Sequence, residues 1–104
     1  MLEIGIGKIV RVIMLTRQYG PDSTRLSDYI SGFNDDEKSN LVAVMWVGRG
    51  SFEAEELEQA KGEAKREATA PTERYLSGIP SLAEHLENGL DVLGIDVTDA
   101  EDHP

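Results

Sequence analysis

The sequence predicts an all-α fold, an irregular bundle of four main helices plus one short helix. Apolar residues recur at the spacing of one helical face in several separate segments. Most of these segments begin at a residue type that caps helices and end at glycine or proline. Only the first residues, around Leu2 and Ile4, alternate as a strand would, and no second strong strand is available. We therefore expect those residues to be extended and the remainder helical.

Two helices are predicted in the first third of the chain. The first runs from about Gly7 to Tyr19, because Gly20 and Pro21 end the helical pattern. Asp22 and Ser23 are candidate caps of a short second helix. The apolar residues of that helix follow the i, i+3, i+4, i+7 spacing: Leu26, Tyr29, Ile30 and Phe33. Two turns alone are marginal in water, so this helix must pack on the core.

A third helix is predicted at the most apolar stretch of the chain. Asn34 can cap it, and Glu37 is placed three residues later as a capping-box partner. The run from Leu41 to Val47 is apolar throughout, which suits a buried helix and equally a buried strand rich in β-branched residues. The polar lead-in favours the helix, which Gly48 and Gly50 are expected to close.

Three further segments have helical patterns. Ser51 is the predicted cap of a helix from about Phe52 to Ala68, whose thin apolar stripe is mostly alanine and allows close packing. A helix of one to two turns is predicted at Pro71–Ser77. Ser81 and Glu84 have the spacing of a capping box that opens the last helix. Leucines form the core stripe of that helix: Leu82, Leu86, Leu90 and Leu93.

The length of 104 residues fits one helical domain, predicted at residues 1–95. Residues 96–104 lack apolar periodicity and are expected to form an acidic, disordered tail. The chain has no cysteine, which excludes disulfides, thiolate catalysis and sulfur-ligated metals and fits a cytoplasmic location. No stretch approaches the roughly 20 apolar residues that cross a bilayer, and Arg11 interrupts the N-terminal apolar run. We therefore expect a protein that is not exported.

The charge distribution argues against nucleic acid and an anionic membrane as direct partners. Lysine and arginine number 10 against 20 aspartates and glutamates, for a net charge of −10. No lysine or arginine follows Arg74, so the last part of the chain is uniformly acidic. This part would be repelled by nucleic acid and by an anionic membrane, and neither is predicted as a direct partner.

The most specific block of the sequence is Met-Trp-Val-Gly-Arg-Gly, within Leu41–Gly50. Asp36-Glu37 before it, and Thr72–Pro80 and Leu86–Leu90 after it, belong to the same pattern. Together these blocks resemble a small bacterial family of domains of unknown function, the DUF3775 family. The first interhelix segment is shorter than the resemblance leads one to expect, and Asn88 stands where an acidic residue is common. The resemblance implies a helical fold and supplies no activity.

No catalytic, cofactor or metal site is predicted. His85 lies near Glu84 and Glu87, but a metalloprotease pair needs two histidines four residues apart on one helix face. The acidic residues 35–37 lack the alternating ligands and central glycine of a calcium loop. Residues 48–50 resemble part of a phosphate loop, but the Lys-Ser/Thr ending is missing and the glutamates that follow would repel phosphate.

Two functional hypotheses remain. The first is a protein-interaction or adaptor domain with an unknown protein partner, self-association included. Its candidate residues lie at the corner after the third helix and in the short helix: Trp46, Arg49, Arg74 and Tyr75. The second is a small-molecule-binding or enzymatic domain with a cleft near Glu37, Arg49 and Tyr75. Trp46 is more simply interpreted as a core anchor, although tryptophan and arginine dominate interface hot spots.

Arg49 has a further structural interpretation. It lies between two glycines, beside the most apolar stretch of the chain. If it is covered, its guanidinium needs a carboxylate, and we expect one from the last helix: Glu84, Glu87 or Asp91.

Overall fold

Helices make up the regular secondary structure of residues 2–68 and 71–95, which the computed structural model describes. The all-α prediction is confirmed. This part of the chain contains six α-helices, five of them with seven residues or more, so the division into four main helices plus one short helix is not confirmed. The helices are α1 (Ile6–Tyr19), α2 (Thr24–Ser31), α3 (Asp35–Arg49), α4 (Leu57–Arg66), α5 (Thr72–Ser77) and α6 (Leu82–Val92). A 3-10 turn, Ala54–Glu56, leads into α4.

The starts of α2 and α3 are fixed by the local contacts that the sequence predicts. The Ser23 hydroxyl accepts a hydrogen bond from the Leu26 N–H, at 3.2 Å. The Asn34 side chain accepts from the Glu37 N–H at 2.7 Å, while the Glu37 carboxylate accepts from the Asn34 N–H at 3.0 Å. This capping box satisfies two N–H groups that a helix start leaves without an intrahelical partner.

Helix α3 is the central element of the fold. Its apolar run, Leu41–Val47, is helical and buried except for the half-buried Trp46, as predicted. α3 packs against α4, α5 and α6. α6 also packs against α1, and α2 packs against both α1 and α5. The shared core therefore lies among α1, α3 and α6, and α4 covers one side of α3 through the buried alanines Ala60 and Ala64.

The backbones of α3 and α6 approach each other closely. A Cβ atom on Gly48 would overlap the carbonyl oxygen of His85, and one on Gly89 would overlap the carbonyl oxygen of Val44. Both positions therefore need glycine for steric reasons. The Asn88 amide donates a hydrogen bond of 2.8 Å to the carbonyl oxygen of Gly48.

The prediction that Gly48 ends α3 is wrong in one respect. Gly48 lies within the helix, and Gly50 is the residue that terminates it, with a left-handed φ of 91°. The Gly50 N–H donates to the Val47 carbonyl and the Ser51 N–H to the Trp46 carbonyl, as in a Schellman motif. The corner thus depends on Gly50 for its turn and on Gly48 for the packing of α3 against α6.

Two predicted helix caps are also wrong. Ser51 does not cap the fourth helix, because the chain first forms the 3-10 turn, with Glu53 at its N-cap and a capping box between Glu53 and Glu56. Ser81 precedes α6 but makes no side-chain cap hydrogen bond, and its φ of 58° is left-handed. A capping box needs extended backbone at the cap residue, and the tight connection after α5 prevents it here.

The N-terminal residues are anchored without forming a strand. Ile4 is buried, and the backbone N–H of Glu3 donates to the Asn40 side chain on α3 at 2.6 Å. Within the described ranges no strand is present, so the predicted extended start has no β partner. The predicted tail at residues 96–104 lies outside the described residues and stays a prediction. Among the described helices, none combines the length and apolarity needed to cross a bilayer.

Candidate interaction site

A pocket opens between α3, α4 and α5, and Trp46, one of the candidate interaction residues, lines it. Its volume is about 250 Å³. Most of the side chains that line it are small, apolar or aromatic, and one is the carboxylate Glu67. The others are Val42, Ala64, Ala68, Thr72, Trp46 and Tyr75. The pocket exists because the buried face of α4 consists of alanines, which leave space beside α3 that larger residues would fill.

Trp46 and Tyr75 form one aromatic unit at this pocket. The indole Nε1–H donates to the Tyr75 hydroxyl at 3.0 Å, which joins α3 to the short helix α5. On another side, the Phe52 ring stacks on Trp46 with a centroid separation of 5.7 Å and an angle of 26° between the planes. Tyr75 is 38% exposed and Trp46 is half-buried. The three rings are thus held in place by one another while part of their surface reaches solvent.

The pocket continues along α3 into a second depression with polar ends. The two depressions share four lining residues: Val42, Ala64, Ala68 and Thr72. The continuation is bordered by Asp35, Lys38, Ser39 and Lys65. Lys65 forms an ion pair with Asp36, which raises the pKa of the lysine above its ordinary value. We call the combined depression, from Lys38 to Tyr75, the α3–α4 groove.

Arg49 is exposed at the end of α3 and does not make the predicted ion pair. Its Nε–H donates to the Ser51 hydroxyl at 3.1 Å, and no carboxylate in the described part of the chain lies within ion-pair distance. Glu87, one of the expected partners, instead pairs with Arg17. The apolar run before Arg49 does not cover it, because Arg49 is the last residue of α3 and the chain turns at the left-handed Gly50 that follows.

The corner at Arg49 borders a separate shallow depression. The apolar side chains Val47, Phe52 and Val92 lie in it, together with Asn88. Because Phe52 also stacks on Trp46, this depression adjoins the aromatic unit. Arg49 is therefore near the groove without lining it.

Arg74 lies on another side of α5 from the groove. It borders a depression with Asp22, Ser27 and Pro71. Of the four candidate residues, the structure thus brings Trp46 and Tyr75 into contact, places Arg49 in a separate depression that Phe52 also lines, and places Arg74 beside Ser27 of α2.

Glu37 is far from the other residues of the alternative cleft. It lies at the first turn of α3, 12 residues before Arg49, which corresponds to about 18 Å along a helix. Its carboxylate pairs with Lys8 of α1 and caps α3. The hydrogen bond from Lys8, followed by that from the Asn34 N–H, holds the pKa of Glu37 below its ordinary value. Glu37 is therefore an ionised structural carboxylate, and it does not share a pocket with Tyr75.

Sequence reasoning missed the groove residues that surround the aromatic pair. Val42 and Trp46 are four residues apart and therefore lie on one face of α3, a signal present in the sequence. No sequence signal pairs Trp46 with Tyr75, because the two are 29 residues apart and belong to different helices. In the described ranges, no group of three or more His, Cys, Asp or Glu side chains is placed to hold a metal ion.

Comparison with known proteins shows a match to a family over most of the chain. The model of a family described as "Protein of unknown function (DUF3775)" matches residues 23–95, which include α2 to α6 and the whole groove. No curated protein and no solved structure matches the chain.

Proposed function

This chain belongs to the DUF3775 family, whose description assigns no activity, and we propose that it is a protein-interaction domain that binds a partner through the α3–α4 groove. The partner is expected to insert one large apolar side chain into the pocket at Trp46 and Tyr75. The cytoplasm remains the proposed location.

The observation that carries this proposal is the hydrogen-bonded, partly exposed Trp46–Tyr75 pair. Tryptophan and tyrosine are among the residue types that contribute most to binding at protein interfaces. Here Phe52 and the hydrogen bond already fix both rings, so binding would require little further ordering of these side chains. The alanine-lined wall beside them offers a recess for an apolar anchor.

The small-molecule or enzymatic alternative has less support. The carboxylates with shifted pKa values include Glu37 and Glu87, whose pKa values are lowered by Lys8 and Arg17. Neither lines the pocket, and a lowered pKa is the opposite of what a general acid near neutral pH requires.

A peptide-display selection on the immobilised full chain tests the proposal. We expect it to enrich peptides with a large apolar anchor, and Trp46, as the single tryptophan, reports their binding by a change in fluorescence. Tyr75→Ala should weaken the binding about tenfold or more, as truncation of a hot-spot residue does.

Val92→Ala is the matched control. Val92 is an apolar side chain of similar exposure, 47% against the 38% of Tyr75, but it lies on α6 and does not line the groove. The control should bind the selected peptides as the wild type does. Equal binding by Tyr75→Ala and the wild type, or no enrichment of any peptide, would contradict the groove as the binding surface.

A further inference from the structure

A second surface, on α1 and α2, carries two arginines that no described carboxylate pairs with. Arg11 and Arg25 are exposed, and neither is within ion-pair distance of an aspartate or glutamate in the described part of the chain. The chain contains 20 acidic residues and only 10 basic ones. A shortage of carboxylates therefore does not explain why these two guanidinium groups lack an acidic partner.

Both arginines are instead placed over tyrosine rings. The Arg11 guanidinium lies 5.9 Å from the centre of the Tyr29 ring, and that of Arg25 lies 4.7 Å from the centre of the Tyr19 ring. Arg25 and Tyr29 are four residues apart on α2, so they are neighbours on one helix face. The four side chains thus form two neighbouring arginine–tyrosine pairs, each of which joins α1 to α2.

The remaining cations of α1 are already engaged. Lys8 pairs with Glu37, and Arg17 makes two hydrogen bonds to Glu87. The acidic groups of the α2 region are Asp22 and Asp28, and both are exposed. Neither forms an ion pair with Arg11 or Arg25 in the described structure, so the two guanidinium groups remain available for a ligand.

An arginine that stacks on an aromatic ring keeps the N–H groups at its edge free. Those groups have the geometry to bind a carboxylate with two parallel hydrogen bonds. Stacking also restricts the side chain before binding, which reduces the ordering that a ligand must impose. We infer that the surface formed by Arg11, Tyr29, Arg25 and Tyr19 binds an acidic segment of another protein, with one carboxylate on each arginine.

A protein segment fits this surface better than a nucleic acid does. Two arginines can neutralise two separate carboxylates, whereas binding to a nucleic-acid backbone requires many phosphate contacts. The net charge of −10 would repel a long polyanion more strongly than a short acidic peptide. The exposed Met14, on α1 between Arg11 and Tyr19 in sequence, adds an apolar contact that a peptide side chain can use.

A labelled peptide of repeated Glu-Asp-Ser-Gly, titrated with the full chain, tests this inference. Its control peptide is Gln-Asn-Ser-Gly repeated to the same length. We expect only the acidic peptide to bind, and its affinity should fall as salt is raised, because exposed charges are screened. The variant Arg11→Gln/Arg25→Gln should lose about tenfold or more in affinity, since two charge-assisted contacts are removed.

Three matched variants separate this surface from a general charge effect. Arg49→Gln/Arg74→Gln removes the same charge elsewhere and should bind the peptide normally. Tyr19→Phe keeps the ring under Arg25 and should bind normally, whereas Tyr19→Leu should bind several-fold more weakly. Circular dichroism and urea melts of each variant establish that it is folded.

Two outcomes overturn the inference. One is equal affinity of the wild type and Arg11→Gln/Arg25→Gln for the acidic peptide, or no binding by either. The other is tighter binding of a labelled single-stranded oligonucleotide than of the peptide through the same arginines. Because Tyr75→Ala should leave the acidic peptide bound, this test is independent of the one on the α3–α4 groove.

Discussion

At the scale of single residues, Arg49 shows that an apolar sequence context does not by itself determine whether a polar side chain is buried. Arg49 follows seven apolar residues, yet it is exposed and its Nε–H bonds to Ser51. No buried carboxylate depends on it. Its environment is therefore that of a surface residue, and its removal strands no charge inside the protein.

The variant Arg49→Ala should accordingly leave the free energy of unfolding within about 0.5 kcal/mol of the wild type. A urea melt measures this change, and Arg49→Lys serves as a variant that retains the charge. A loss of several kcal/mol in Arg49→Ala alone would show that the guanidinium has a buried partner after all.

At the scale of helices, the α3–α6 contact leaves no room for a side chain at two of its glycines. Gly48 and Gly89 allow the two backbones to approach until the carbonyl oxygens of His85 and Val44 occupy the space of a side chain. A methyl group at either glycine forces the helices apart, and the buried core around Val44 and Leu86 must then repack.

We expect Gly48→Ala to cost about 3 kcal/mol or more, a large share of the stability of a domain this size. Gly7→Ala is the matched control, because a Cβ at Gly7 in α1 meets nothing within 4 Å. That control should change stability little or increase it slightly, since alanine favours helix more than glycine does. Chemical denaturation of both variants, with equal m-values, checks the difference. If Gly48→Ala is as stable as Gly7→Ala, the backbones of α3 and α6 do not approach each other closely enough at Gly48 to exclude a methyl group.

The helices also show which structural features can be predicted from the sequence. The Asn34–Glu37 capping box and the Ser23 cap involve residues three apart, so their chemistry is visible in the sequence, and both predictions are confirmed. The role of Gly48 depends on His85, which lies in a helix much later in the chain. Ser81 has the right spacing for a capping box but the wrong backbone conformation, which the connection between α5 and α6 imposes. Local chemistry was therefore predictable, and contacts between distant helices were not.

At the scale of the whole molecule, one ion pair joins the first and last described helices. Arg17 of α1 donates to both oxygens of Glu87 of α6, at 3.1 and 3.0 Å. The hydrogen bond from Arg17 lowers the pKa of Glu87 below its ordinary value, and the same bond raises the pKa of Arg17. A carboxyl group whose pKa is lowered in the folded state stabilises the fold when it is ionised.

The pH dependence of this contribution has a definite sign. It should be fully present above the ordinary glutamate pKa of about 4.3 and should be lost as the pH falls through the lower pKa of the folded state. The wild type should thus lose more stability between neutral and acidic pH than Glu87→Gln does. Both side chains are about half exposed, so the difference should not exceed about 1 kcal/mol.

Urea melts at neutral pH and near pH 3 measure this difference, and a double-mutant cycle with Arg17→Gln isolates the pair. Glu55→Gln, at an exposed glutamate without a described ion pair, is the control for loss of one negative charge. The same pH dependence in Glu87→Gln and the wild type would show that the pair does not contribute.

The contact between α1 and α6 also has a consequence for the order in which the protein is made. Among the described helices α1 is synthesised before the others, and α6, which packs along it, is the last to leave the ribosome. A nascent chain that stops before Leu82 contains α1 and α3 without the helix that both pack against. The residues buried there, such as Ile13 and Val44, would remain open to chaperones and proteases until α6 has been synthesised. We therefore expect the helical core to become resistant to proteolysis only once α6 can pack against α1 and α3.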